Sequence, residues 1–499
     1  MPAAHAAGAQ ADYLQQRYLA FYPKPGSPLA DELADCIANV FNTCRLDQIY
    51  FDGSEGMMSR YGIDFMRHAI FKRLRGEVLV EASEWGRHNW WFHSRLGAWD
   101  HPVWAAKRFH DWHIAYTEKF RQTDLLEPQM GWWAPRQPSA LARGHFLDEM
   151  EYFAAKNLGL DSAMSIQGVN VTRQPLPFHI EKQMTVLGWY ERLRLARYFD
   201  TQTVARIAVP GDEFRLRQDR DGAWKFTPVK MSAHRVTAPS ERWTTQNSFA
   251  EQPLSVRIEA LYSAAPYDSP KRICLTGDTN ICLRAENKSA TRRGAWTKTT
   301  LTFPPPYRNI TGTGAVGVWV KGDGKGALLN IQLASPREFM GGVSDHYVKL
   351  DFTGWRYFEL LFRERDVEQM HNYQWPYRAG YSVYRTGLDL AHISELNLYL
   401  NELPPGDTTE VVIRPIMALP VRAAEWKNPS LTVNGQTLTF PVTLKSGDFL
   451  ELEPTGDGTH YNEKGDPLSS LHLATVPVLR AGENTIALDC ARAEVTIIS

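Results

Sequence analysis

The sequence predicts a multi-domain α/β plus all-β protein, in which a parallel-sheet region of (β/α)8-barrel type leads and β-sandwich domains follow. Three observations predict it. Strand-like and helix-like segments alternate through the first 200 residues, the order that builds βα units and a parallel sheet. After about residue 200, short alternating runs, prolines and Asp-Gly turns take over, as in sandwiches. A chain of 499 residues also exceeds one ordinary domain, with about three the expected number. The expected boundaries are a barrel region at 1–200, a β-rich segment packing on it at 201–265, a larger β module at 266–420 and a small C-terminal sandwich at 421–499.

Residues 28–43 ("PLADELADCIANVFNT") carry Leu33, Ile37, Val40 and Phe41 at helical spacing. The strand "DQIYFD" follows, then a helix in "IDFMRHAIFKRLRG" closed by Gly76. "EVLVEAS" is the next strand, and a long aromatic loop leads to a helix around "PVWAAKRFHDWHIAYTEKF". "MGWWA" reads as a strand, "SALARGHFLDEMEYFAAKNLG" as a helix, "SAMSIQG" as a strand and "IEKQMTVLGWYERLRLARYF" as a helix. An open doubly wound sheet and part of a barrel both fit this order. No glycine-rich phosphate fingerprint follows any strand, which weakens the nucleotide-binding version. Four strands are half a barrel. The reading therefore allows that only the C-terminal half lies in this chain, the remainder coming from an upstream segment, another chain or segments read differently. Beyond residue 200, runs such as "GAVGVWVKGDGKGALLNIQLAS" and "HYVKLDFTGWRYFELLF" alternate as strands, "LPVRAAEWKNP" reads as a linker, and Asn434-Gly435 marks a late hairpin.

Composition removes several functions. Lys and Arg total 55 against 56 Asp and Glu, a net charge of -1, so no basic field is present to hold nucleic acid or an anionic membrane. No run approaches the ~18 apolar residues of a membrane span. Five scattered cysteines make no disulfide framework and no zinc spacing. The opening "MPAAHAAGAQ" lacks the basic start and apolar core of a signal peptide. Tryptophan is the outlier: of 16, eight fall between residues 85 and 133, a density suited to a cleft whose rings stack on the C–H faces of sugars.

Strand ends supply the candidate chemistry. In a βα barrel the C-terminal ends of the strands form the active face, which places Asp52 there with Glu55 behind it. The next strand ends at Glu84; Glu81, three residues earlier, should point to the opposite face. Adjacent parallel strands lie about 4.8 Å apart, so two end carboxylates come within the range glycosidases use. Asp52 would be the nucleophile. Glu84, shielded by Trp85, would be the acid/base with a raised pKa. The plain alternative is that Asp52 only begins a turn before Gly53. In the loop "EWGRHNWWFHSRLGAWDHPVW", Trp90, Trp91 and Trp99 are candidates for stacking and His93, Arg95 and Asp100 for hydroxyl contacts; the rival use is an aromatic mini-core. Trp132, Arg136 and Gln167 come from the next two strand ends, with one of Trp132 and Trp133 expected inward. His88, His93 and His101 lack a metal-site spacing.

"IYFDGSEG" followed by "VLVEASEWG" resembles the fourth and fifth strands of retaining (β/α)8-barrel glycoside hydrolases of the α-galactosidase and endo-α-N-acetylgalactosaminidase type. The resemblance implies Asp52 as nucleophile and, from the second branch, Glu84 as acid/base. In the first branch the acid comes from the sixth strand, which here ends "GWWAPR" without a carboxylate. The segment "GVWVKGDGKGALLNIQL…DHYVKLDFTGWRYFEL" resembles jelly-roll carbohydrate-binding modules, with Trp319, Trp355 and Tyr357 expected in its core.

The expectation is a retaining glycoside hydrolase acting on an oligo- or polysaccharide, with no required cofactor and structural calcium in a sandwich left open. A carbohydrate partner and an extracellular or periplasmic location go with it, despite the lack of a signal peptide. One alternative is a non-catalytic glycan-binding or scaffold protein on a degenerate or incomplete barrel. The other is a polysaccharide lyase using a His, Tyr or Arg base.

Overall fold

Short apolar runs ending at glycine or an acid form the parallel strands, and the helices between them bury small or aromatic faces. The computed structural model describes residues 9–14, 18–51, 60–82, 90–96, 129–170, 176–292, 295–336, 342–364, 388–490 and 492–499, with scattered residues at 106–122 and residue 172.

A hairpin of β1 (Ala9–Leu14) and β2 (Tyr18–Pro23) precedes helix α1 (Pro28–Cys44). Ser27 caps α1 by accepting from the Ala30 amide at 3.3 Å, and Arg45 ends it at φ 51. Its buried face is the alanine one, Ala30, Ala34 and Ala38 with Phe41. Leu33, Ile37 and Val40, expected inward, are 40%, 40% and 58% exposed. The alanines let α1 approach its neighbours closely, so the bulkier stripe is turned outward.

The parallel strands β3 (Gln48–Phe51), β4 (Leu79–Ala82) and β5 (Arg95–Leu96) form one sheet in that order, with α2 (Arg60–Phe71) between the first two. β5 falls within the expected aromatic loop. Two residues are too few to show a period, and it is held by Ser94, whose amide donates to Val80 O at 2.7 Å. A second parallel pair is β6 (Gln129–Trp133) with β7 (Ala163–Ile166), joined through α3 (Leu147–Leu160). The two sheets share no hydrogen-bonded strands among the described residues, so the strand–helix order is present without a closed (β/α)8 barrel. Helices α4 (Phe178–Leu195) and α5 (Thr201–Ile207) follow, making five α-helices among the described residues. None is long and apolar enough to cross a membrane.

Helix α3 is buried nearly all round although it carries charges. Each charge has a partner that offsets its desolvation. Asp148 receives Lys107 at 2.7 Å and Arg257 at 2.6 Å, Glu149 accepts from the Phe146 amide at 2.8 Å, and Lys156 donates to the carbonyls of Ile207, Val209 and Asp212. The approach of α5 is close enough that a Cβ on Gly159 would lie 2.7 Å from the Ala208 nitrogen. Burial pushes the Glu151 carboxyl up to about 7 against Arg215 and Arg217, with the Asp148 charge adding to the rise. The folded value lies above the ordinary 4.5, so the associated stability is full below that pH and is lost as pH rises through about 7. In denaturant melts, Glu151→Gln is therefore expected to be more stable than the parent by about 3 kcal/mol at about pH 8 and equal to it near pH 4.

The hairpin β8 (Glu213–Gln218) and β9 (Trp224–Val229) closes this core with Phe214, Leu216, Trp224 and Phe226 packed near Trp133, Phe153 and Tyr190. The remaining strands make two sandwiches. In the first, a sheet of six strands drawn from Ile273–Leu419 faces a four-stranded one ordered Trp296–Thr302, Glu395–Asn401, Leu328–Ala334 and Val343–Lys349. The second combines segments that the sequence reading had separated. Met231–Val236 and Ser255–Ala260 both pair with Ala493–Ile498, and Glu241–Asn247 pairs with Gly482–Asp489. Residues 231–260 thus share one core with residues 430–498, and the first sandwich is inserted between them.

Candidate functional site

The strand-end face begins at β3 and β4, which are parallel neighbours with Phe51 opposite Ala82. Asp52 follows Phe51 directly, and Glu84 comes two residues after Ala82. Asp52, Glu55, Glu84, Trp85, Trp99 and Asp100 lie outside the described residues, as do the side chains of Trp90, Arg95 and Trp132. Glu81 is buried and accepts from Gln48 Nε2 at 2.9 Å, and its register partner across the sheet is Arg95.

The described loop residues divide between support and surface. His93 is buried; desolvation, then the Arg67 charge, lowers its pKa to about 4, which keeps it neutral near pH 7. Trp91 is 54% exposed, with its ring edge-on to Phe71 and Phe92, so one side rests on an aromatic mini-core while the other stays open. Trp133 is fully buried and donates to Gln183 at 3.4 Å, fulfilling the inward role. Arg136 lines a cleft beyond the end of β6, and the Gln167 amide donates to Trp133 O at 2.9 Å. No group of three or more metal-ligating side chains occurs among the described residues.

A second candidate surface escaped sequence reasoning. Leu329, Ile331, Leu333, Leu396, Leu398 and Leu400 of the four-stranded sheet point into the sandwich core, which puts the alternate residues on its other face. There Thr300 donates to Asn397 at 2.7 Å, Asn397 to Gln332 at 3.0 Å, and Gln332 and Asn330 to one Asp345 oxygen at 2.7 and 2.8 Å. Asn330, Gln332, Asp345, Asn397, Tyr399 and Asn401 are all buried, and the face opens along the Trp296–Thr302 strand, where Trp296 is 46% exposed and its ring lies 6.0 Å from Tyr399. Burial, then the charges of Asp345 and Glu395, pushes the Tyr399 hydroxyl up to about 12, so it remains a neutral donor. The available signal was carboxamides on alternate positions of "LLNIQLA" and "ELNLYLN". On the six-stranded sheet, Val316, Val318 and Val320 take the inward positions and leave Trp319, Tyr357 and Trp355 outside the core. The Arg414 guanidinium lies 5.5 Å from the Trp319 ring and 4.8 Å from the Trp355 ring.

No family model matches the chain, and no curated protein matches it. Among solved structures it is similar to the family 11 carbohydrate-binding module of the cellulosomal cellulase Lic26A-Cel5E of Clostridium thermocellum, at 12% identity and a TM-score of 0.18, over 32% of this chain and 95% of that one. A family 30 carbohydrate-binding module of a second cellulosomal cellulase of Clostridium thermocellum matches at 13% identity and 0.19, covering 37% and 96%. The agarase AgWH50C matches at 12% and 0.20, covering 32% of this chain and 24% of its own length. At these scores the β-sandwich assignment rests on the strand pairing described above.

Proposed function

We propose that this chain acts on carbohydrate as a retaining glycoside hydrolase, with Asp52 as nucleophile and Glu84 as acid/base. The observation that supports the reading is the parallel register of β3 and β4, with Phe51 opposite Ala82, the last described residues before Asp52 and Glu84. The mechanism has two displacements. Asp52 attacks the anomeric carbon while Glu84 protonates the leaving oxygen; Glu84, now a carboxylate, then takes a proton from water as water releases the sugar from Asp52. Glu55, Trp85, Trp90, Trp91, Trp99, Asp100, Trp132, Arg136 and Gln167 remain the proposed sugar contacts. Arg95 is proposed with them, while His93 is buried and supports the loop. An extracellular or periplasmic location follows from a polymeric substrate. A full barrel needs strands beyond the five described, and the exposed stripe Leu33, Ile37 and Val40 offers apolar surface for them to cover. The test is incubation with plant, algal and mucin glycans, with products read by mass and by ultraviolet absorbance. New reducing ends with saturated products support hydrolysis; an unsaturated, absorbing product means a lyase instead.

A second reading, glycan binding without turnover, is favoured by the polar sheet face of the first sandwich. The exposed Trp296 ring, with Lys298 and Thr300 exposed on the same face of its strand, matches a sugar's apolar face and polar rim. Trp296→Ala is expected to weaken glycan binding about fivefold to tenfold in titration calorimetry without lowering the melting temperature. Unchanged affinity removes this face as a site.

A further inference from the structure

A groove runs along α4, between that helix and the second sandwich. Its first part is a narrow neck of about 60 Å³ and its second a wider trough of about 480 Å³, and the two share Leu147, Phe178, Lys182 and Glu451. Phe178, Lys182, Thr185 and Trp189 follow one another at spacings of four, three and four, which sets them on one face of α4. All four line the groove. At 1.5 Å per residue they span roughly 16 Å, room for several linked sugar rings.

The chemistry along this line is graded. Phe178 is 39% exposed at one end, and Trp189, half-buried with its ring 5.5 Å from Trp224, stands at the other. Between them Thr185 is exposed, and Lys182 donates to the Tyr461 hydroxyl at 3.4 Å while lying 5.4 Å from the centre of that ring. Across the groove, Arg215 and Arg217 approach Glu453 at 3.7 and 3.5 Å, long enough for each to turn toward another partner. Five cationic and three acidic side chains line the neck, and three cationic and five acidic ones line the trough, so the charges balance over the whole groove while the trough itself is acidic. Rings at both ends with balanced donors and acceptors between them suit a hydroxyl-rich, uncharged chain. A polyanion would meet the glutamates, and a nucleic acid would find no net positive field.

We propose that this groove binds a neutral polysaccharide along the Phe178–Trp189 face of α4, a track running on from the cleft that Arg136 lines beyond β6. Because α4 begins in the connection leaving β7, its Phe178 end is the one nearer the C-terminal end of that strand. The inference rests on the carbohydrate reading above and adds a site to it.

The test is affinity electrophoresis of the full chain in gels containing mixed-linkage β-glucan, arabinogalactan or pullulan, with dextran sulfate as the charged comparison. Trp296→Ala serves as the background, so that retention by the sandwich sheet does not mask the groove. Retardation of this background by at least one neutral polymer is expected. Adding Phe178→Ala or Thr185→Trp should weaken it about tenfold, the loss of one ring contact or of the space for the chain. Both positions are exposed, and thermal melts check that the fold is kept. Equal retardation of background and groove variants, or retardation by dextran sulfate alone, overturns the track. If the parent protein is retarded by none of the polymers, the carbohydrate reading falls with it, which separates the two failures.

Discussion

Asp52→Asn is expected to abolish glycan turnover in a protein that still folds. Asp52 follows Phe51, whose parallel partner is Ala82, and Glu84 follows Ala82 by two residues, which is the basis for proposing the two carboxylates as a pair. An amide in its place cannot form the glycosyl ester, and no neighbouring residue in the strand supplies a second carboxylate until Glu55. Glu84→Gln should behave differently. It is expected to cost about 10²–10⁴-fold on substrates with a sugar leaving group, the range for one positioned proton donor. The loss should be much smaller on aryl glycosides, whose leaving oxygen needs little protonation. Initial rates on both substrate types, with circular dichroism to confirm folding, check this pair. The anomer of the first product, followed by NMR, gives an independent reading: retention fits carboxyls about 5–5.5 Å apart, and inversion fits about 6.5–9.5 Å. Normal turnover by a folded Asp52→Asn protein would remove the two-carboxylate mechanism.

What made β3, β4 and β7 legible was a short apolar run with a glycine or acid soon after it; β6 is followed by Ala134-Pro135 instead. α1 was legible from the helical spacing of its apolar residues, although that spacing marked Leu33, Ile37 and Val40, which the structure exposes. α3 was harder to delimit: its start falls at Leu147, eight residues into the expected helix, because Ser139 and Ala142 form a β-bridge and Glu149 caps the Phe146 amide. The second sandwich was hidden for another reason. Met231–Val236 finds its partner in Ala493–Ile498, and no local pattern records a pairing across so much intervening chain. The polar sheet face was missed because Asn330, Gln332 and Asn397 occupy positions that alternation assigns to solvent, and only the structure shows them bonded to one another. Trp319 and Trp355 were misplaced by the reverse logic. Their place within alternating strands suggested the core, but period two gives that side to Val316, Val318 and Val320.

Asp148→Ala is expected to destabilise the protein by about 3–5 kcal/mol at neutral pH, because it leaves two cations buried without their shared partner. Asp148 stands at the start of α3, with Lys107 at 2.7 Å on one oxygen and Arg257, from the second sandwich, at 2.6 Å on the other. Arg257 also lies 3.7 Å from the centre of the Phe146 ring, and Arg143 joins Glu259 and Glu494 beside it, so this junction fixes the α/β region against the sandwich. Burial works to raise the Asp148 pKa, but Arg257 and Lys107 outweigh it and hold the carboxyl well below the usual range. A folded value below the ordinary 3.8 means that this stability is fully present above that pH and is lost as pH falls below it. The parent should therefore lose stability steeply below about pH 4, and Asp148→Asn, which has no proton to gain, should lose less. Denaturant melts at neutral pH and near pH 3.5 test both parts. A gap between parent and Asp148→Asn that narrows on acidification is the expected outcome, and a gap that stays constant shows that Asp148 carries no charge into the junction. The same junction bears on function. The groove along α4 has the sandwich as its far wall and Asp148 in its lining, so Asp148→Asn should also bind neutral polysaccharide more weakly.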